Sequence, residues 1–255
     1  MIDFLDKKSK IKNMSGHSHW SKIKWQKGVT DIRKSKAFSK MSRVISVAAR
    51  EGGGDPESNP KLRLAIEQAK AINLPKENIE RAIKRGLGEL GGATQLESLI
   101  FEAYGPGGIA IIIEGITDNK NRALGEIKQI LNQGGGKLAD TGSVQWLFER
   151  KGCITLRTPN NSQNKEELEL LVVEAGADDF QWRNNILEVY TKVEDLEKVK
   201  KNLEKQGLKI ESTSLDWVAK EEIELTEQDK EKCQKLFEAL DESETVQEIY
   251  SNLKL

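Results

Sequence analysis

The hydropathy pattern of this chain predicts an α+β protein whose helices come first. Three observations lead there. Up to residue 85, apolar residues recur at helical spacing; from residue 99 onward, short apolar runs alternate with helical stripes; and 152–217 carries the order βαββαβ.

Taken in order, residues 1–15 are polar and are expected to form a disordered extension, with Met14 before SGHSHW as a candidate start that would make the first 13 residues dispensable. A basic helix is predicted from Lys36, with Phe38, Met41, Ile45, Ala48 and Ala49 on its apolar side. After the flexible 51–56, Asn59-Pro60 reads as an N-cap followed by proline at the first helical position. The helix over 60–72 sets Leu62, Ala65, Ile66, Ala69 and Ile72 on one stripe. Leu74-Pro75 restarts the pattern with Ile79, Ala82 and Ile83, and Gly86 is expected to end it. Arg81, Lys84 and Arg85 lie near that end, where a capping role and a ligand role are both open.

A glycine-rich linker, 86–92, leads to strands expected at 99–104 and 109–116, joined by Gly105-Pro106-Gly107-Gly108. A helix starting near Asn119 follows, and a strand at 144–148 resumes the sheet. The 152–217 unit then has strands at 153–157, 180–183, 186–190 and 208–217 and two helices, the ferredoxin-like split βαβ order. A strand at 217–225, a helix over 227–240 and a segment near 246–250 are expected to return to the middle domain. The expected fold is therefore an N-terminal three-helix domain followed by two ferredoxin-like α/β domains, the last inserted into the middle one. The boundaries are 16–91, 92–150 with 217–255, and 151–216.

The net charge of −1 conceals a division. Residues 1–85 hold 20 Lys+Arg against 9 Asp+Glu, and the remaining 170 hold 20 against 32. The basic excess peaks in 16–50, where nine Lys or Arg meet one acid, Asp31. On a helical projection Arg33, Lys36, Lys40, Arg43 and Arg50 fall within an arc of roughly 100°, opposite the apolar side. A cation-rich face with so few interleaved acids, beside Trp20 and Trp25, points to nucleic acid as the partner.

Other chemistries find little support. No aliphatic run approaches the length of a membrane span, and the opening MIDFLDKKSK lacks the apolar core of a signal peptide, so a cytoplasmic protein without membrane contact is expected. Cys153 and Cys233 stand 80 positions apart without CxxC spacing and read as reduced packing residues. His17 and His19 are the only histidines and have no ligand partners at metal spacing, so neither a metal nor a His-based catalytic triad is expected. Gly136-Lys137 fails as a phosphate loop, having Leu131 and Leu138 where glycine and a hydroxyl belong. The chain reads as a binding protein, not an enzyme, and no cofactor is called for.

GHSHWSKIKWQKG, SKAFSKMSRVISVAAREGG, NPKLRLAIEQAKAINLPKENIERAIKRG, EAYGPGGIAIIIEGITDNKNR and GGGKLADTGSVQWLFERKG together resemble the YebC/PmpR family, over residues 15–255. The resemblance implies one helical and two α/β domains in a cytoplasmic protein. It implies a DNA-binding transcriptional regulator, although mitochondrial relatives act as translational activators and some bacterial relatives are linked to ribosomes translating difficult sequences such as proline runs. Two positions depart from the usual pattern: His19 stands where members read Lys, and Ala123 where they read Thr.

The expected phosphate contacts are Lys22, Lys24, Lys27, Arg33, Lys36, Lys40, Arg43 and Arg50, with Trp20 and Trp25 either stacking on exposed bases or packing in the bundle. Six to eight such contacts predict an affinity that falls on the order of a thousandfold between 50 and 200 mM salt. Under the alternative, ribosomal RNA is the target and Tyr104, Gly105, Pro106, Gly107 and Gly108 form a functional loop; the same glycines also suit a plain hairpin. A protein partner for the acidic α/β domains is a further expectation. Nothing in the sequence demands more than a monomer.

Overall fold

The computed structural model describes residues 18–19, 31–90, 95–157, 165–183 and 185–254. The extension at 1–15 and the tip of the 184–185 turn therefore lie wholly or partly outside the described residues. The chain divides into two compact units, Phe148–Glu222, and His17–Leu147 with Ile223–Leu255.

In the larger unit, α1 (Asp31–Gly52), α2 (Pro60–Ala71) and α3 (Lys76–Gly86) bury their stripes against one another, Ile45, Ala49, Leu62, Ala69, Ile79 and Ala82 forming the centre. Asn59 does more than cap. Its side-chain oxygen accepts from Leu62 N at 3.1 Å, while its amide donates to Ala48 O and Gly53 O, both at 2.8 Å. One buried amide thus starts α2 and ties it to the end of α1.

The first sheet contains β1 (Ser18–His19), β2 (Glu97–Tyr104), β3 (Ala110–Thr117), β4 (Lys137–Ala139) and β9 (Val246–Ser251) in the order β1-β9-β3-β2-β4, every neighbour antiparallel. Helices α4 (Lys120–Gln133) and α7 (Glu227–Glu242) cover the face carrying Phe101, Ala103, Ile111 and Ile113. β3 lies between β2 and β9 with Ile111, Ile112 and Ile113 all fully buried, which explains an apolar run without alternation. Ala123, the departure from the family pattern, is part of this core.

The smaller unit runs β5 (Phe148–Arg157), α5 (Lys165–Ala175), β6 (Asp179–Arg183), β7 (Ile186–Thr191), α6 (Leu196–Lys205) and β8 (Ile210–Ala219), with sheet order β6-β7-β5-β8. This is the expected ferredoxin-like order, over a core that includes Ile154, Val172, Leu187, Val189 and Leu203.

Four elements differ from the sequence reading, the first being β1, a two-residue strand within 16–91 where only helices were expected. The strand expected at 144–148 is a 3₁₀ turn, Gln145–Leu147, and β5 then runs unbroken from Phe148. The strand expected at 217–225 does not form: Trp217, Val218 and Ala219 finish β8 by pairing with Arg150, Glu149 and Phe148, and only an isolated bridge from Ile223 to Leu253 follows. The short edge strand β4 was not anticipated; three residues carry no readable period. Among the described residues no helix is long and apolar enough to cross a membrane.

Candidate nucleic-acid interface

The cations of α1 point at something specific. Lys36 Nζ donates to Glu242 O at 3.1 Å and ion-pairs with the Glu242 carboxylate. One turn on, Lys40 Nζ donates to Asp241 O at 2.9 Å and to Asp241 Oδ1 at 3.0 Å. Arg43 continues the row, donating to Glu244 O at 3.0 Å and Glu244 Oε2 at 2.8 Å.

Asp241 and Glu242 are the last two residues of α7, where the final carbonyls of a helix lack intrahelical donors and the dipole is negative, and Glu244 follows just past the Ser243 C-cap. Each cation therefore meets a carbonyl and a carboxylate at once. Lys40–Asp241 is the most enclosed of the three, both side chains being 16% exposed. The face expected to meet phosphate faces carboxylates in this structure, and the seam joins the helical bundle to the sheet of the same unit.

The other expected contacts divide into three groups. Arg50 is exposed, and its field adds to Lys120 in holding the Glu97 carboxyl below the usual carboxylate value. Arg33 lies in the first turn of α1. Trp20, Lys22, Lys24, Trp25 and Lys27 lie outside the described residues, while the neighbouring Ser18–His19 backbone pairs with Ser251 and Tyr250 of β9.

At the end of α3 the cations do not cap. Glu89 N donates to Lys84 O at 3.0 Å and Gly88 N to Arg85 O at 3.1 Å, with Gly88 at φ 78. The backbone closes this terminus itself, and Gly88 supplies the left-handed stop expected of Gly86. Gly86 answers a different need. A Cβ there would collide with the Ser46 carbonyl, and Ser46 Oγ meanwhile bonds both Ser42 O at 2.9 Å and Ala82 O at 2.8 Å. α1 and α3 thus cross in close backbone contact.

The Tyr104 loop is a compact hairpin. Gly105 N donates to Ile109 O at 2.8 Å, Pro106 is buried, and Cys233 Sγ approaches Pro106 O at 3.5 Å from α7 below. Burial first, then the nearby Asp229 charge, pushes the Cys233 thiol up to about 11. Cys153 and Cys233 are both free and buried.

A second loop meets this hairpin, and the sequence reading did not find it. Glu102, itself 3% exposed, accepts from Gly142 N, Val144 N and Gln145 N at 2.6, 2.7 and 2.8 Å. Burial raises its pKa, but the three donors outweigh that and hold the carboxyl below its ordinary value. The loop so held offers Ser143 O to two aromatic donors, Tyr104 OH at 3.3 Å and Trp146 Nε1 at 3.0 Å. Tyr104 is 40% and Trp146 65% exposed. Trp146 lies in the apolar run expected as a strand at 144–148, which hid it as a loop residue. The loop's buried glutamate anchor, some 40 positions earlier, gave no signal. Among the described residues no cluster of His, Cys, Asp and Glu is arranged to hold a metal ion.

Comparison with known proteins places these features in a family. Residues 18–89 match the TACO1/YebC protein N-terminal domain, and residues 96–253 match the TACO1/YebC second and third domain. A probable transcriptional regulatory protein of Caldanaerobacter subterraneus is 47% identical over 242 residues, covering 95% of this chain and 99% of its own. One from Thermotoga maritima is 46% identical over 242 residues, covering 95% and 94%. The crystal structure of a conserved hypothetical protein from Aquifex aeolicus superposes with a TM-score of 0.80 at 44% identity, covering 88% of this chain and 91% of that one.

Proposed function

The chain belongs to the TACO1/YebC family, and from that membership we propose that it is a cytoplasmic regulator of gene expression that binds nucleic acid, with DNA the leading target. The observation that carries this reading is the helical bundle's charge: its helices hold cations far in excess of acids, and the acids that neutralise Lys36, Lys40 and Arg43 come from the end of α7 and the turn after it. A bundle with its own counter-charges would not need to borrow them. The relatives' name, probable transcriptional regulatory protein, agrees with the reading. Under it, Arg33, Arg50 and the lysines at 22, 24 and 27 supply phosphate contacts, and the three seam cations join when the acids release them.

A second reading is favoured by one observation, the exposed Tyr104 and Trp146 held over Ser143. Rigid aromatics stack on unpaired bases, which structured RNA offers and duplex DNA does not. Under this reading the protein is a ribosome-associated translational activator. The acidic α/β domains remain available to a protein partner in either case.

Crosslinking in growing cells, with sequencing of both recovered DNA and recovered RNA, separates the two. Discrete promoter-proximal DNA peaks support transcriptional regulation, whereas ribosomal RNA crosslinks move the protein to translation. In vitro, an affinity that does not fall steeply between 50 and 200 mM salt contradicts both, because phosphate contacts release counterions.

A further inference from the structure

We propose that the cleft between α1 and α3 is an oxyanion site that takes a phosphate group, gripped by the guanidiniums of Arg81 and Arg85. The inference rests on the nucleic-acid reading only for where that phosphate comes from.

The cleft is open, about 230 Å³, and lined by Phe38, Ser39 and Ser42 of α1 with Asn78, Arg81 and Arg85 of α3. That is below the roughly 300–1,000 Å³ of small-molecule sites; Phe38 and Ala82 give it an apolar floor, and its polar groups, two guanidiniums with Ser39 and Asn78, suit a single anionic group better than an organic ligand. Arg81 and Arg85 stand one helical turn apart, a spacing at which like charges oppose the helix. Among the described residues neither has an ion pair, although Glu77 lies one turn before Arg81. The α1 cations nearby differ: Lys36, Lys40 and Arg43 all have carboxylates. Two uncompensated guanidiniums on one wall are a local electrostatic conflict, and an anion between them resolves it.

The donors fit that anion. Guanidinium presents a planar fork that matches phosphate oxygens two at a time. Ser42 Oγ is already committed to Phe38 O at 2.8 Å, but among the described residues the Ser39 hydroxyl and the Asn78 amide have no partner and add neutral donors. The frame is also fixed beforehand. The Gly86–Ser46 approach and the bond from Ser46 Oγ to Ala82 O hold α1 against α3, so the walls do not have to be ordered on binding.

The test uses the full chain, its Arg81→Gln/Arg85→Gln variant, a Lys34→Gln/Arg50→Gln control and an Arg81→Lys/Arg85→Lys variant. Amide spectra are recorded against inorganic phosphate at constant ionic strength with chloride as reference, and binding of a duplex DNA and a hairpin RNA is measured across salt. Thermal unfolding confirms that each variant is folded. We expect saturable phosphate shifts at 38–42 and 78–85 that vanish in the glutamine variant. In that variant oligonucleotide affinity should fall tenfold or more, with the salt slope shallower by about 1.8 for DNA. The control should lose slope without losing the phosphate shifts, and the lysine variant should recover slope but only part of the phosphate affinity. If phosphate shifts nothing that chloride does not, and the glutamine variant binds oligonucleotides as wild type does, the cleft is not a phosphate site and the nucleic-acid reading stands without it. If phosphate saturates the cleft and no oligonucleotide binds, the site stands and the nucleic-acid reading falls.

Discussion

Replacing Glu102 by Gln asks how firmly the 140–147 loop is held beneath Tyr104 and Trp146. In the folded chain the carboxylate accepts three backbone N–H groups, one on Oε1 and two on Oε2. Glutamine keeps the shape but turns one terminus into a donor, which must then face a backbone N–H. A hydrogen bond to a charged group is worth roughly 1.5–3 kcal/mol, and an orphaned buried donor costs roughly 1–3 kcal/mol. With relaxation of the loop, a loss of about 3 kcal/mol at pH 7 is expected, read by urea unfolding beside wild type. The pH dependence supplies a second check. A carboxyl whose folded pKa is depressed stabilises the fold fully above its unfolded value, about 4.3, and that contribution is lost as pH falls through the folded value. The gap between the two proteins should therefore be complete at pH 7 and begin to close below about pH 4.5. A gap under about 0.5 kcal/mol at pH 7, the size of an ordinary surface change, or one that acid leaves untouched, refutes the anchoring role.

Four further expectations follow from other parts of the structure. A Lys40→Met, Asp241→Asn double-mutant cycle should return a coupling near 1 kcal/mol, the upper end for a partly exposed pair, and salt should weaken it. Neutralising all three acids, Asp241→Asn with Glu242→Gln and Glu244→Gln, should tighten oligonucleotide binding about tenfold in anisotropy titrations, because three pairs of ~0.5 kcal/mol no longer compete for the cations. Gly86→Ala should lower stability by about 2 kcal/mol in chemical denaturation even though helix propensity alone favours alanine by up to ~1 kcal/mol, since the added methyl meets the Ser46 carbonyl and not a yielding side chain. Cys233 should resist thiol reagents at pH 8 until the chain unfolds, because a thiol raised to about 11 holds almost no thiolate there.

What the sequence revealed and what it hid follow from the range of the interactions. The stripes through Ile45, Leu62 and Ile79 were readable because a helix repeats its face every few residues, and the ferredoxin-like order of Phe148–Glu222 because each strand and helix carries its own period. The joins were not readable. The boundary between the two units falls where a turn held by Glu102 meets a ten-residue strand, with no flexible linker to mark it. The apolar character of Trp217 and Val218 was real, but pairing with Arg150 and Glu149 assigned them to β8.

The basic stretch shows the same limit at the candidate site. A helical projection found the row Lys36, Lys40 and Arg43 but not what covers it, because the acids lie 201 to 206 positions away along the chain. The Asp241 and Glu242 carbonyls that share two of those cations are free only because α7 ends there, and no residue type encodes a helix terminus that presents itself to another domain. Charge excess therefore singled out a domain while leaving open which of its cations are available. Arg81 and Arg85 sit toward a helix end where cations suit the dipole; the backbone closes that end without their side chains, and the cleft they line sets two guanidiniums together with no carboxylate partner among the described residues.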